Sequence, residues 1–472
     1  MNVDEIRNKI LIAREKRALM RKQCSRSIRN SLSLSLNIPG YPKSMPLISA
    51  FFDNVLSECI GFLQAHGIAI DRAHEIKHVD EAGNFYLAPL PNGLRLADIK
   101  ALAEAFEGSH PFGRIIDIDL ADPQCQPLSS GKLKRCLLCE QPAIVCMREA
   151  THSYEELRDS LVRGVRGYLA DRAKRQTCKH LAALALKAIL YEISVSPKPG
   201  LVGRFETGSH CDMNYFTFLS STSVLAGYFE ELALAGYAYP RNDLREALPL
   251  VRTVGLKMEA SMFSATNGVN TQKGLIFLIG LALFSSGFVI ARDRRFDGAR
   301  CREVIAAVCA NLVQNELATA TGDGQTHGQT CFQRYGLEGT GIRREAETGM
   351  QSVFEHGLPE LKSALTNGAE SSTAQINKGL IRTLLRLMTV ANDTNILYRK
   401  DIETLKTVQR MAQCVLDARD GKDEAERYAR LRTYCRQEYI SPGGSADLLA
   451  VTLFIYFVER AFSSPSEPVQ TD

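Results

Sequence analysis

The chain has 472 residues, 45% hydrophobic and 23% charged, proportions that let a buried core offset ordering entropy and exclude disorder as its main state. Lys+Arg 57 against Asp+Glu 53 leaves a net charge of only +4, which excludes a strong non-specific pull toward nucleic acid or membrane. Thirteen cysteines, an odd count without framework spacing, point to a reducing compartment, and the length points to two or three domains.

The first predicted element is a helix, because Ile6, Ile10, Ala13, Arg17 and Met20 follow a helical period, while Asp4, Glu5 and Arg7 argue against a signal peptide. A second helix is predicted over Leu47–His66, with turns at Asn37-Ile38-Pro39-Gly40 and Pro91-Asn92-Gly93. The β-branched run Arg114–Leu120 follows Ser109-His110-Pro111-Phe112-Gly113 and reads as a strand. On a strand Asp117 and Asp119 project to one face. Adjacent carboxylates repel, and a hard cation such as Mg2+ holding substrate phosphates relieves this, as nucleotidyl transfer requires. An exposed strand edge is the alternative; Ile115, Ile116 and Ile118 favour a buried strand. Downstream, Cys136, Cys139, Cys146 and His152 have a C-x2-C-x6-C-x5-H spacing. They could complete a tetrahedral zinc site or be buried structural thiols in a packed hairpin. Residues 1–170 are therefore predicted to form an α+β domain, nucleotidyltransferase-like in its acid pair. The polar stretch 171–176 marks a boundary or continues one solvated helix.

From 177 to 465 Ala- and Leu-rich runs alternate with short Gly, Pro, Asn and Ser clusters, which predicts an all-α domain of about ten helices. The apolar stretch Leu275–Ala291 contains Gly280, Ser285, Ser286 and Gly287 and fits a buried core helix better than a membrane span; Leu448–Val458 is too short to span. A soluble, cytoplasmic protein is expected, with a disordered tail over 466–472.

Five polar clusters fall at inferred helix ends. The first is Ser196-Pro197-Lys198-Pro199-Gly200, continuing to Arg204, Gly208, His210 and Asp212, and the second is Asn267-Gly268-Val269-Asn270-Thr271-Gln272-Lys273-Gly274. The third runs from Gly341 to Glu347, the fourth is Asn392-Asp393-Thr394-Asn395, and the fifth is Ser441-Pro442-Gly443-Gly444-Ser445-Ala446-Asp447. Helix starts favour anions through their N–H groups and dipole, and glycine lets phosphate approach. Lys198, Arg204, Lys273 and Arg343 add cations. Asp212, Glu345, Glu347, Asp393 and Asp447 could hold Mg2+ or act as bases. Singly each cluster reads as a cap or turn, with Thr271 and Ser445 as N-caps. Their recurrence points to one polyphosphate pocket.

Two family resemblances follow from these residues. Asn37-Ile38-Pro39-Gly40 with Lys43, His110-Pro111-Phe112-Gly113-Arg114 with Asp117 and Asp119, and Arg135-Cys136-Leu137-Leu138-Cys139 with Cys146 resemble the apo-citrate lyase phosphoribosyl-dephospho-CoA transferases, and Arg14 and Arg17 match the same pattern. The resemblance implies transfer of a phosphoribosyl-dephospho-CoA group onto a serine of the apo-citrate lyase acyl carrier subunit, with release of pyrophosphate. It places Mg2+ on Asp117 and Asp119 for attack at phosphorus, and substrate contacts on Arg14, Arg17, Lys43, His110 and Arg114. The five later clusters, in order, resemble triphosphoribosyl-dephospho-CoA synthases over roughly 177–465. That implies ATP and 3′-dephospho-CoA as substrates and adenine as a product. A 2′-hydroxyl attacks the anomeric carbon through an oxocarbenium-like transition state, which one carboxylate stabilises while another takes the proton. Candidate catalytic acids are Asp212, Glu345, Glu347 and Asp393. Candidate binding residues are Lys198, Arg204, His210, Asn267, Asn270, Thr271, Lys273, Arg343, Asn395, Ser441, Gly443, Gly444, Ser445 and Asp447. Two positions depart from the family: Gln272 stands where histidine is common, and Arg344 where glycine is common. The chain is thus expected to be a bifunctional fusion. Its rivals are the equivalent pair serving malonate decarboxylase, and a zinc-stabilised interaction module on a helical scaffold.

Overall fold

The computed structural model describes residues 2–24, 29–128, 134–318, 327–365 and 372–463. Two compact units result, Met1–Arg172 and Ala173–Ser466. The expected tail, 466–472, lies outside the described residues.

The first unit contains α1 (Val3–Cys24), β1 (Ser31–Leu36), α2 (Pro46–Ala65), β2 (Ile76–Asp80), β3 (Gly83–Pro89), α3 (Leu96–Ser109), β4 (Ile116–Ala121) and α4 (Ala143–Glu149). Helix α5 (Tyr154–Ser194) begins here, and the division between units falls inside it. The strands form one antiparallel sheet of order β2-β3-β1-β4. Strand β1 is a strict Ser/Leu alternation that was not among the predicted elements. Its register sets Leu32, Leu34 and Leu36 against Leu120, Ile118 and Ile116, and Ser33 and Ser35 against Asp119 and Asp117. Directly opposed residues share a face, so one face is apolar and the other polar. The apolar face packs in a core with Leu47, Phe51 and Val55 of α2 and Ile99, Ala103 and Phe106 of α3. Each of these side chains larger than alanine contributes about 1.5–3 kcal/mol when fully buried. The turn from α3 into β4 is very tight. A Cβ at Gly113 would come to 1.6 Å from the Glu107 carbonyl oxygen, so only glycine fits.

In the second unit, the later part of α5 is followed by α6 (Tyr215–Leu225), α7 (Phe229–Tyr237), α8 (Leu248–Ala265), α9 (Lys273–Asp293) and α10 (Gly298–Val308). Next come α11 (His327–Tyr335), α12 (Ile342–Glu347), α13 (Leu358–Leu365) and α14 (Thr373–Val390). The last are α15 (Thr394–Arg399), α16 (Ile402–Leu416), α17 (Gly421–Gln437) and α18 (Gly443–Phe462). That makes thirteen α-helices after α5 among the described residues, more than the predicted ten, because short α12 and α15 lie inside polar clusters. The unit has no strand among those residues. Helix α9 is the expected core helix: every residue from Leu275 to Ile290 except Phe277 is buried. Its Gly287 lies against the α7 backbone, where a Cβ would come to 2.2 Å from the Ala233 carbonyl oxygen. Helix α18 packs against both α9 and α14.

Candidate active sites

In the first unit β4 presents Asp117 and Asp119 on the polar face of the sheet. Arg21 of α1 lies over this face, where its guanidinium donates to Ser33 Oγ (3.0 Å) and approaches the Asp119 carboxylate (3.6 Å). Lys134 Nζ donates to Asp117 Oδ1 (2.7 Å) and to the Ile116 carbonyl, and lies 3.9 Å from Glu107. At the outer edge of β4, the Ile118 N–H donates to Glu107 Oε1 (2.8 Å) and Lys100 Nζ donates to the Ile118 carbonyl (3.0 Å). Side chains thus cover the backbone groups that an edge strand would otherwise offer to another chain. Burial, and then the charge of Asp117, pushes the Asp119 carboxyl above its ordinary value, against Arg21, Lys100 and Lys134. Burial likewise raises Glu107. Partly buried acids facing like charge favour a hard cation, so this donor set fits Mg2+.

In the second unit the polar clusters meet. Asp393 is buried at the start of α18, where Ser445 donates to its Oδ2 through N–H (3.0 Å) and Oγ (3.3 Å), and the Asn395 N–H donates to its Oδ1 (3.0 Å). Asp447 Oδ2 lies so near Gly274, in the first turn of α9, that a Cβ there would come to 2.2 Å. Asn395 crowds Gly443 (2.7 Å to a Cβ) and Thr394 crowds Gly341 (2.4 Å), which has a left-handed φ of +53°. The second to fifth clusters are therefore one assembly. The first joins it through His210 Nε2 and Ser441 Oγ (2.8 Å), and through Ser209 Oγ, which donates to the Ile440 carbonyl (2.8 Å).

Charge at this junction is unbalanced. Burial, then Glu192 and Asp393, pushes the largely buried Asp447 carboxyl well up. The buried cation at hand is Lys198, whose Nζ donates to Glu192 Oε1 (2.5 Å) and to the Glu192 carbonyl (2.9 Å). Glu192 and Asp393 both act on Asp447, and Lys198 pairs with Glu192. Arg399, at the end of α15, acts on His210 and His327; burial first, then its charge, lowers the pKa of both. Beside this junction a cleft of about 870 Å³ is lined by Lys198, Gly200, Arg204, Gly208, Phe216 and Arg432 among others. A cationic, partly aromatic cleft next to a carboxylate cluster is suited to a nucleotide polyphosphate with its metal.

Residues 178–466, more than half of the chain, match the model of the ATP:dephospho-CoA triphosphoribosyl transferase family. The chain belongs to this family. Residues 6–166 match a second model, that of the apo-citrate lyase phosphoribosyl-dephospho-CoA transferases. Among similar proteins, the probable 2-(5''-triphosphoribosyl)-3'-dephosphocoenzyme-A synthase of Vibrio cholerae serotype O1 (strain M66-2) is 37% identical over 283 residues, 59% of this chain and 88% of its own. Probable synthases of the same name from Pectobacterium carotovorum and Streptococcus pyogenes serotype M49 are 38% and 34% identical, covering 57% and 59% of this chain and 86% and 97% of their own. The chain is thus an enzyme of citrate lyase prosthetic-group biosynthesis.

Several residues predicted to bind substrate have protein partners in the transferase. Arg17 is buried and donates to both oxygens of Asp80 (2.9 and 2.6 Å) and to the Gly83 carbonyl (2.6 Å), whereas Arg14 is exposed. Lys43 Nζ donates to the Ile38 carbonyl (2.5 Å). His110 Nδ1 accepts from the Phe112 N–H (3.0 Å), which leaves its Nε2 proton for Tyr168 Oη or Glu58 (both 3.2 Å). Arg114 turns toward the cysteine segment, donating to the carbonyls of Cys136 (2.6 Å) and Cys139 (3.3 Å).

In the second unit Glu345 accepts from Ser352 N–H (3.1 Å) and Oγ (2.5 Å), and Glu347 from the Val313 N–H (3.3 Å). Arg343 pairs with Glu316 (2.9 Å), Lys273 with Glu259 (2.9 Å), and Asp212 lies 3.7 Å from His210. Asn270 Oδ1 accepts from the Lys273 N–H (3.2 Å), while Asn267 forms a left-handed turn at φ +54°. Both N-cap predictions are corrected. Helix α9 starts at Lys273 with Gln272 as its cap residue, and Thr271 Oγ1 donates to Ser221 Oγ (2.9 Å). Ser445 lies inside the first turn of α18, where Asp393 satisfies its N–H. Gln272 is buried, its Oε1 accepting from Ser221 Oγ (2.7 Å). Sequence reasoning missed Arg21, Lys134, Glu192 and Arg399. For Arg21 a signal existed, since it lies one helical turn beyond Arg17; for Glu192 it was an acid in an apolar helical run.

Proposed function

We propose that residues 177–465 join ATP to 3′-dephospho-CoA with release of adenine, and that residues 1–170, read as a nucleotidyltransferase-like domain, pass the phosphoribosyl-dephospho-CoA group to a serine of the apo-citrate lyase acyl carrier protein. The observation that carries this reading is the meeting of five separate polar clusters at one junction, where Asp447 has the carboxylates of Glu192 and Asp393 as neighbours and Lys198 pairs with Glu192. In glycosyl transfer, the 2′-hydroxyl oxygen of dephospho-CoA bonds to the anomeric carbon of ATP, the bond to adenine breaks, and the hydroxyl proton passes to a base. We assign that base to Asp447, because it accepts no hydrogen bond among the described residues, whereas Asp393, Glu345 and Glu347 are held by N–H groups. Its raised pKa makes it a stronger base than an ordinary carboxylate. Lys273 in the first turn of α9 and Arg399 at the end of α15 supply charge for the triphosphate.

In the second reaction the carrier serine oxygen bonds to phosphorus, the bond to pyrophosphate breaks, and the serine proton leaves. Asp117 and Asp119 would hold Mg2+ there, which neutralises charge on the phosphates when bound. Arg21 and Lys134 orient the acid pair and draw the negative phosphates to the polar face of the sheet. Both reactions use cytoplasmic nucleotides, which supports a cytoplasmic enzyme.

The test combines protein, ATP, dephospho-CoA and Mg2+, followed by apo carrier protein from citrate lyase or malonate decarboxylase. Adenine release that depends on dephospho-CoA, then a mass increase on the citrate lyase carrier, is expected. No such adenine removes the first assignment; a mass increase only on the malonate decarboxylase carrier redirects the second.

A further inference from the structure

The segment after β4 contains a group of side chains that neither reaction uses. Cys136 and Cys139 flank a tight turn in which the Cys136 N–H donates to the Gln141 carbonyl (2.7 Å) and the Ala143 N–H to the Lys134 carbonyl (2.8 Å). Helix α4 then brings in Cys146. Ala150, at a left-handed φ of +50°, ends the helix, and the Thr151 N–H closes onto the Cys146 carbonyl (3.1 Å), which returns His152 to the same place. One ligand atom from each of Cys136, Cys139, Cys146 and His152 lies within 4.8 Å of all the others, and the Cys139 and Cys146 sulfurs are 3.3 Å apart.

A second observation concerns His152. Its Nε2 is buried and has no hydrogen-bond partner among the described residues. Leaving such a group unsatisfied costs about 1–3 kcal/mol, so a buried ring nitrogen on an imidazole grouped with three thiols calls for a partner.

We propose that Cys136, Cys139, Cys146 and His152 bind one structural zinc ion. Zinc takes thiolate at about 2.3 Å and imidazole at about 2.0 Å in a tetrahedron, which sets ligand atoms roughly 3.5–3.8 Å apart. The group needs to contract by on the order of 1 Å to reach this. All four positions come from protein, so the site is closed and leaves no place for substrate. Its role is to brace the segment beside the acid pair. Arg114 grips the Cys136 and Cys139 carbonyls from one side, and Lys134, two residues ahead of Cys136, reaches Asp117. Zinc would fix the turn that aims this lysine.

The test measures zinc by mass spectrometry in the full-length protein, purified without a metal-chelate column. About one zinc per chain that survives dialysis is expected, with cobalt exchange giving the intense visible bands and thiolate charge transfer of a tetrahedral site. Cys139→Ser and His152→Ala should each weaken zinc at least about tenfold in competition with a chromogenic chelator. Should those variants fail to fold, His152→Cys keeps four ligands and should retain zinc, with cobalt bands shifted as sulfur replaces nitrogen. Zinc far below stoichiometric in the parent protein, or weak octahedral cobalt bands, would overturn the proposal. So would an intact mass two hydrogens light that maps to a Cys139–Cys146 disulfide.

Discussion

Burial, and then the neighbouring Glu192 and Asp393, disfavour the ionised form of Asp447 in the folded protein, and the buried Lys198 pairs with Glu192. An acid whose folded pKa exceeds its unfolded value binds more protons in the native state between the two values. Stability therefore falls as pH rises through that interval, and the loss persists above the folded pKa. Asp447→Asn removes this loss. At mildly alkaline pH the variant should unfold at a Tm about 2 °C or more above the parent, and the gain should shrink as pH falls through the folded pKa. The same variant should release adenine on the order of a hundredfold more slowly, because the base is gone. Calorimetry over a pH series and a timed adenine assay measure the two effects. A lower Tm at alkaline pH would make this carboxylate a stabilising group and return its pKa to the ordinary range.

At the scale of elements, β4 depends on the turn that precedes it. Gly113→Ala would drive a methyl group into the Glu107 carbonyl, where neither atom belongs to a flexible side chain. The end of α3 or the start of β4 must then shift, at a cost of about 1–3 kcal/mol or more. Glu107, which holds the Ile118 N–H, shifts with it. Carrier modification should fall at least about tenfold and the first unit should become protease-sensitive at lower temperature, while adenine release continues. Unchanged proteolysis would mean that the turn has slack which its contacts deny.

This element also marks what the sequence made legible. Ile115, Ile116 and Ile118 around Asp117 and Asp119 announced a strand with its acids on one face, and the apolar run interrupted by Gly280, Ser285, Ser286 and Gly287 announced a buried core helix. Partners distant in the chain were not announced. Nothing local ties Lys134 to Asp117 or Glu192 to Asp447, and spacing alone could not tell that Glu345 and Glu347 serve the backbone of Ser352 and Val313. Helix starts erred by a residue or two, which moved Thr271 and Ser445 out of the cap position.

At the scale of the whole molecule, the proposed function assigns the acid constellations of the two units to two separable chemistries joined by a small, soluble intermediate. Asp117→Asn removes one of two adjacent charges with little change in side-chain volume, so the first unit should fold while carrier modification slows on the order of a hundredfold. Its second unit is untouched, and triphosphoribosyl-dephospho-CoA should accumulate in solution. Asp447→Asn has the opposite defect: an intact first unit with nothing to transfer. Neither variant alone should modify the apo carrier at the parent rate. Mixed together with ATP, dephospho-CoA and Mg2+, they should restore modification, because the product released by one chain is the substrate of the other. Restoration should rise with the concentration of the Asp117→Asn partner and be delayed by a lag while the intermediate builds up. Intact-mass spectra of the carrier over time, beside adenine measured in the same samples, follow both steps. If the mixture releases adenine but leaves the carrier unmodified, even with purified intermediate added, the first unit of the Asp447→Asn chain is not an independent transferase and the two-site reading fails.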